Sequence, residues 1–148
     1  MAYNPNNPNG QATSANSAPV VIASDQPLVP TSLQEVAIGG ATVKQVVSAL
    51  GTNPTPIKTG VGKVTGWYIY NNNGSARKVA FHDTGGTPTA GTSVYFSIVI
   101  PALSAANCSF PSGINFNTGI AITTTAGLAN SAADNVAAND LIINIFYK

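Results

Sequence analysis

From Ala41 onward, apolar and polar residues alternate with a period of two, the signature of strands with one face buried. Ala41 to Val47 is rich in β-branched residues and reads as a first strand, with a short helix as the alternative. Gly51-Thr52-Asn53-Pro54-Thr55-Pro56 is a break. Gly62 to Tyr70 resumes, with Thr65, Trp67 and Ile69 on one face and Val64, Tyr68 and Tyr70 on the other. Asn71-Asn72-Asn73-Gly74-Ser75 supplies residues tolerant of a left-handed turn, and Arg77 to Asp83 follows, so these two strands are expected to form a hairpin. Ser93 to Ile100 places Val94, Phe96, Ile98 and Ile100 on one face, and Pro101 ends it. Shorter strands are expected at Asn107–Phe110 and Ile120–Thr124. Thr125 to Asn139 reads as loop or weak helical turn. Leu141 to Tyr147 makes a last strand whose character predicts pairing inside a sheet. About seven short strands with frequent turn signals and no long helix predict an all-β fold, an antiparallel β-sandwich of jelly-roll type.

Residues 1–40 follow another rule and read as an extended N-terminal arm preceding the sandwich domain of residues 41–148. Asn4-Pro5-Asn6-Asn7-Pro8-Asn9-Gly10 stacks turn formers and helix breakers. Pro19, Pro27 and Pro30 each remove a backbone donor, which excludes a central strand or a helix interior. Between them lies the apolar run Val20-Val21-Ile22-Ala23, whose side chains need a surface to cover them. Pro19, Val20, Val21, Ile22, Ala23, Asp25 and Gln26 are therefore the expected partner-binding residues of the arm, and Gly39-Gly40 the flexible joint behind it.

Composition sharpens this picture through what is missing. Of 148 residues only 7% are charged, against about 25% in ordinary soluble domains. Asn, Ser, Thr and Gly replace the charges, and a nearly uncharged surface suits a chain that lives in contact with copies or partners. The net charge of +1 leaves no basic footprint for nucleic acid, and no apolar run reaches the ~18 residues of a membrane span. Neither a basic start nor an apolar stretch opens the chain, so no secretory signal is expected.

The inventory for catalysis is thin. His82 is the single histidine, and its neighbour Asp83 points to the opposite face of a strand, so adjacency makes no dyad. A structural role is expected for His82, and a backbone-capping role for Asp83. Asp25, Glu35, Asp83, Asp134 and Asp140 are too dispersed to show a carboxylate pair. Asp134, Asn135, Asn139 and Asp140 offer oxygen atoms of the kind calcium takes, but their spacing matches no EF-hand loop. Gly60-Val61-Gly62-Lys63 lacks the spacing of a phosphate loop. Cys108 is alone, which excludes an intrachain disulfide, and reads as buried and inert. Trp67 with Tyr68 and Tyr70 could stack on a sugar, although aromatic residues on a strand more often fill a core. No enzymatic activity, cofactor or metal is expected.

Several motifs appear together in an order that resembles one family. Ser17-Ala18-Pro19-Val20-Val21-Ile22-Ala23-Ser24-Asp25-Gln26 resembles a stretch near the N-termini of virion proteins of tailed bacteriophages. Gly66-Trp67-Tyr68-Ile69-Tyr70-Asn71-Asn72, Lys78-Val79-Ala80-Phe81-His82-Asp83 and Val99-Ile100-Pro101-Ala102 resemble the β-sandwich domain of the same proteins. Phe110-Pro111-Ser112-Gly113-Ile114-Asn115-Phe116-Asn117-Thr118-Gly119-Ile120 completes the series. The resemblance implies a capsid cement or decoration protein on the surface of the virion, assembled in the host cytoplasm. Its partners would be the major capsid protein and further copies of itself in a homotrimer, with no nucleic acid and no membrane. A tail, baseplate or head-fibre component is the alternative, and a carbohydrate-binding module with Trp67 as its platform is the second.

Overall fold

The computed structural model describes residues 40–148, and the arm expected at residues 1–40 lies, but for Gly40, outside them. Eight strands follow one another: β1 (Thr42–Val47), β2 (Thr55–Thr59), β3 (Gly62–Asn71), β4 (Arg77–Asp83), β5 (Phe96–Ile100), β6 (Ser104–Phe116), β7 (Gly119–Thr125) and β8 (Leu141–Tyr147). They pair antiparallel in two four-stranded sheets, β1-β8-β3-β6 and β2-β7-β4-β5. That alternation of strands between two sheets is the double Greek key of a jelly roll, the sandwich expected from the sequence.

The inner faces are the apolar sets that the period of two selects. Leu141, Ile143 and Ile145 of β8 are wholly buried and meet Val79 and Phe81 of β4 with Ile120 and Ile122 of β7. An aromatic cluster fills one part of the core, with Phe81 stacked on Phe96 at 4.5 Å between ring centroids. Trp67 lies 5.9 Å from Phe81 and 5.2 Å from Phe110 in tilted geometry. β8 lies between β1 and β3, so the last strand is central, as its composition predicts.

Four local expectations are corrected. β3 and β4 form no hairpin: they lie in different sheets, and Asn71–Ser75 is an arch between them. The reason is visible at Asn71, which is buried and donates from Nδ2 to the carbonyls of Ser75 (2.9 Å), Ile100 (3.2 Å) and Pro101 (2.9 Å). The expected faces of β3 are also mixed, because a bulge at Thr65 shifts the phase and puts Val64 on the inner face with Trp67 and Ile69. The expected break at residues 51–56 runs into strand β2, where Pro56 is tolerated because β2 is an edge strand with a register shift beside that residue. The strand expected to end at Phe110 continues: β6 runs through Pro111 to Phe116 as one long edge strand, although Phe110 to Gly113 loop out of the pairing with β3 opposite Thr65.

Candidate functional site

The two sheets differ in what covers their outer faces. Sheet β2-β7-β4-β5 is roofed by the loops 84–95 and 126–140. Ser97 donates to the Asn130 side chain (3.1 Å), and the Lys78 ammonium, buried beneath the roof, donates to the carbonyl of Ala129. Burial lowers the Lys78 pKa, and the negative charge of Asp134 partly offsets this. Next on the same face, His82 is 2% exposed and shares a 2.9 Å hydrogen bond between Nε2 and Thr123 Oγ1. Burial lowers its pKa below the ordinary value, against the backbone groups of Ser93 and Thr92 that hold the proton. Burial thus favours the neutral form of His82. With Asp83, Thr84, Thr87, Thr89, Thr92 and Ser93, His82 lines a polar cavity of about 340 Å³.

The acids are equally committed. Asp83 accepts from the backbone N–H groups of Asn117 (3.1 Å), Thr118 (2.7 Å) and Gly119 (3.2 Å), which hold its carboxyl below the usual range. Asp140 accepts from Arg77 Nε at 2.8 Å, from Asn73 Nδ2 at 2.9 Å and from the Ala137 N–H at 3.0 Å. Burial pushes its pKa up, but the Arg77 hydrogen bond and the other donors outweigh this and lower it. Both oxygens of Asp140 thus already accept hydrogen bonds, Oδ1 from Asn73 and Oδ2 from Arg77 and Ala137. Among the described residues, no group of three or more His, Cys, Asp or Glu side chains could hold a metal.

Among the described residues, no loop roofs sheet β1-β8-β3-β6 in this way. Three rows cross its outer face, set by the strand register. Val47, Ile142, Tyr70 and Ala105 form the first row, and Val43, Phe146, Gly66 and Ser109 the third. Between them runs an amide row of Gln45, Asn144, Tyr68 and Asn107. Gln45 donates to Asn144 Oδ1 at 3.1 Å. No residue of these rows is charged, and Val43 (54% exposed), Val47 (47%) and Tyr68 (46%) stand open to solvent. Where the bulges of β3 and β6 face each other, Thr65, Cys108, Phe110, Pro111 and Phe146 line a notch of about 370 Å³ at one end of this face, with the charged Lys148 also in its wall.

The arm residues Pro19, Val20, Val21, Ile22, Ala23, Asp25 and Gln26 lie outside the described residues, and so do Asp25 and Glu35 among the acids. Trp67, the platform of the carbohydrate-binding alternative, is 9% exposed and faces the core, the commoner place for an aromatic residue on a strand. Cys108 is half-buried rather than fully buried, at the core's margin. The uncharged outer face was not drawn from the sequence, although the absence of Lys, Arg, Asp and Glu at alternate positions of β3, β6 and β8 is its signal.

No protein-family model matches the chain, and no curated protein matches it. Among solved structures it is similar to one described as the crystal structure of PirA, with 17% identity, a TM-score of 0.33, and coverage of 73% of this chain and 93% of that one.

Proposed function

We propose that this protein is a structural component of a tailed-bacteriophage particle, a capsid cement protein that binds the shell of major capsid proteins and is not an enzyme. The observation that carries the reading is the three uncharged rows across the outer face of sheet β1-β8-β3-β6, with Lys148 only at the end of that face, in a chain where charged residues are scarce throughout. An isolated soluble domain gains by interspersing charge over such a face, and a chain that docks on other chains gains by leaving it out. Jelly rolls recur among viral capsid proteins, an analogy of fold that supports the reading without assigning a function. In this reading the sandwich sits on the capsid surface as a homotrimer and the arm residues Val20, Val21 and Ile22 lie along an adjoining subunit. Each such side chain contributes roughly 1.5–3 kcal/mol when fully buried, and repetition over a shell multiplies the effect.

The test is co-sedimentation of the full chain, and of a variant lacking residues 1–30, with shells assembled from the major capsid protein. The full chain binds and raises the temperature at which the shells rupture, and the shortened chain binds weakly or not at all. Binding that is unchanged by the deletion removes the arm from the reading, and no binding by either removes the cement function. Labelled protein imaged on intact particles then separates head from tail.

A further inference from the structure

Four strand edges end the two sheets, and they are not alike. An open edge presents unpaired N–H and C=O groups that template another strand, and proteins blunt it with lysine, proline, bulges or brevity. β1 carries Lys44; β2 carries Pro56, Lys58 and a register shift; β5 is five residues long and stops at Pro101. β6 is thirteen residues long and contains no charge, and its first half, Ser104–Ser109, pairs regularly with β3 and contains no proline. Its single proline, Pro111, lies in the looped-out segment beyond.

The core is open along the same flank. Of the apolar residues that pack against the core yet remain partly exposed, Phe96 and Ile98 lie on β5, and Ala106, Cys108, Phe110 and Ile114 on β6. An added strand beyond Ser104–Ser109 would satisfy the free backbone groups of β6. The same strand would set every second side chain over Ala106, Cys108 and Phe110. The occupant has to be extended, uncharged, free of proline and apolar on at least one face. Residues 20–24, Val20-Val21-Ile22-Ala23-Ser24, are uncharged, contain no proline and are largely apolar and β-branched, a composition that favours extended backbone, bounded by Pro19 and Asp25. Five extended residues span about 17 Å, which fits the roughly 20 Å of Ser104–Ser109. Chain between Ile22 and Gly40 can reach up to roughly 60 Å when extended, enough to pass to a neighbouring molecule.

We infer that the first half of β6 receives residues 20–24 of a second copy as an added strand. This rests on the adhesive reading above and names the surface that takes the arm, and it is measured without any particle. Val20→Cys, Val21→Cys and Ile22→Cys are each made in a Cys108→Ser background and mixed with mass-tagged unsubstituted protein under mild oxidation. A disulfide between the tagged and untagged chains then joins the arm of one copy to Cys108 of the other. Because side chains of a strand alternate, position 21 should differ from positions 20 and 22 by about tenfold in mixed product. Should Cys108→Ser weaken the fold, Cys108→Ala replaces it as the background of the arm variants, and the same alternation is expected. Equal yields at the three positions, or no mixed product, overturn the inference. A chain that binds shells yet gives no mixed product loses β6 as the receiver while the cement function stands.

Discussion

Trp67→Ala separates a core residue from a ligand platform. The indole is 9% exposed and sits 5.9, 6.1 and 5.2 Å from the rings of Phe81, Phe96 and Phe110. Truncation removes the indole from among these rings and leaves a cavity between the sheets. Loss of a buried Trp or Phe side chain costs about 3–5 kcal/mol, and a domain of this kind has only about 5–15 kcal/mol in all. With a urea dependence of roughly 2 kcal/mol/M, a loss of ~4 kcal/mol lowers the unfolding midpoint by ~2 M. The assay is urea unfolding followed by far-UV circular dichroism, since the substitution removes the single tryptophan and with it the fluorescence signal. A midpoint lowered by less than ~0.25 M refutes the burial argument, because a side chain at the surface costs no more than ~0.5 kcal/mol. The same variant should bind no glycan differently from the natural protein.

Three further outcomes follow from the site. Asp140→Asn leaves the Arg77 guanidinium, 13% exposed, without its anion, and should cost about 3 kcal/mol in urea unfolding, with the Arg77→Met/Asp140→Asn double variant recovering part of the loss; an additive double variant refutes the coupling. His82 is held neutral below its ordinary value of 6.5, so the unfolded chain takes up the proton first. Its contribution to stability is complete above that value and falls as pH drops toward the folded one, and His82→Gln should flatten that part of the midpoint-against-pH curve; an unchanged curve refutes it. Val47→Lys with Tyr68→Lys should change unfolding stability by no more than ~0.5 kcal/mol per site and reduce co-sedimentation with capsid shells more than about tenfold; undiminished binding means that this face docks on nothing.

What the sequence reveals and hides divides along physical lines. Strands with a strong period of two were legible, because burial of one face dictates Leu141, Ile143 and Ile145 directly. Element β2 was hidden by Pro56, since a proline reads as a break unless the strand is known to lie at an edge. The Asn-Gly turn suggested a hairpin because local turn chemistry is the same in a hairpin and in an arch. Only the long-range bonds of Asn71 to Ile100 and Pro101 separate the two. The bulge at Thr65 was hidden because its second half, the excursion of Phe110 to Gly113, lies on another strand. Asp83 was read correctly as a cap, but the donors it serves are those of residues 117–119, not those of its own glycine-rich loop. Side-chain partners across sheets carry no signal in a single sequence.

The distribution of ionic groups gives the sandwich a direction. Lys78, Arg77, Asp140 and Asp83 are each tied to loop or turn groups that close over or flank sheet β2-β7-β4-β5. Those contacts hold the roof on one side of the molecule and engage four of its charges there, while Lys44, Lys63 and Lys148 belong to the strands of the other sheet or follow them. On the other side, the rows through Phe146, Asn144 and Ile142 bear only apolar groups, amides and hydroxyls. Desolvating a charged face requires matched counter-charges, whereas an amide row between two apolar rows is desolvated by any extended chain that offers backbone groups and small side chains. In the proposed reading, the roofed sheet supplies stability and the other sheet supplies contact. The two can be varied separately: a substitution beneath the roof moves the unfolding midpoint, and one on the bare face moves only what the protein holds on to.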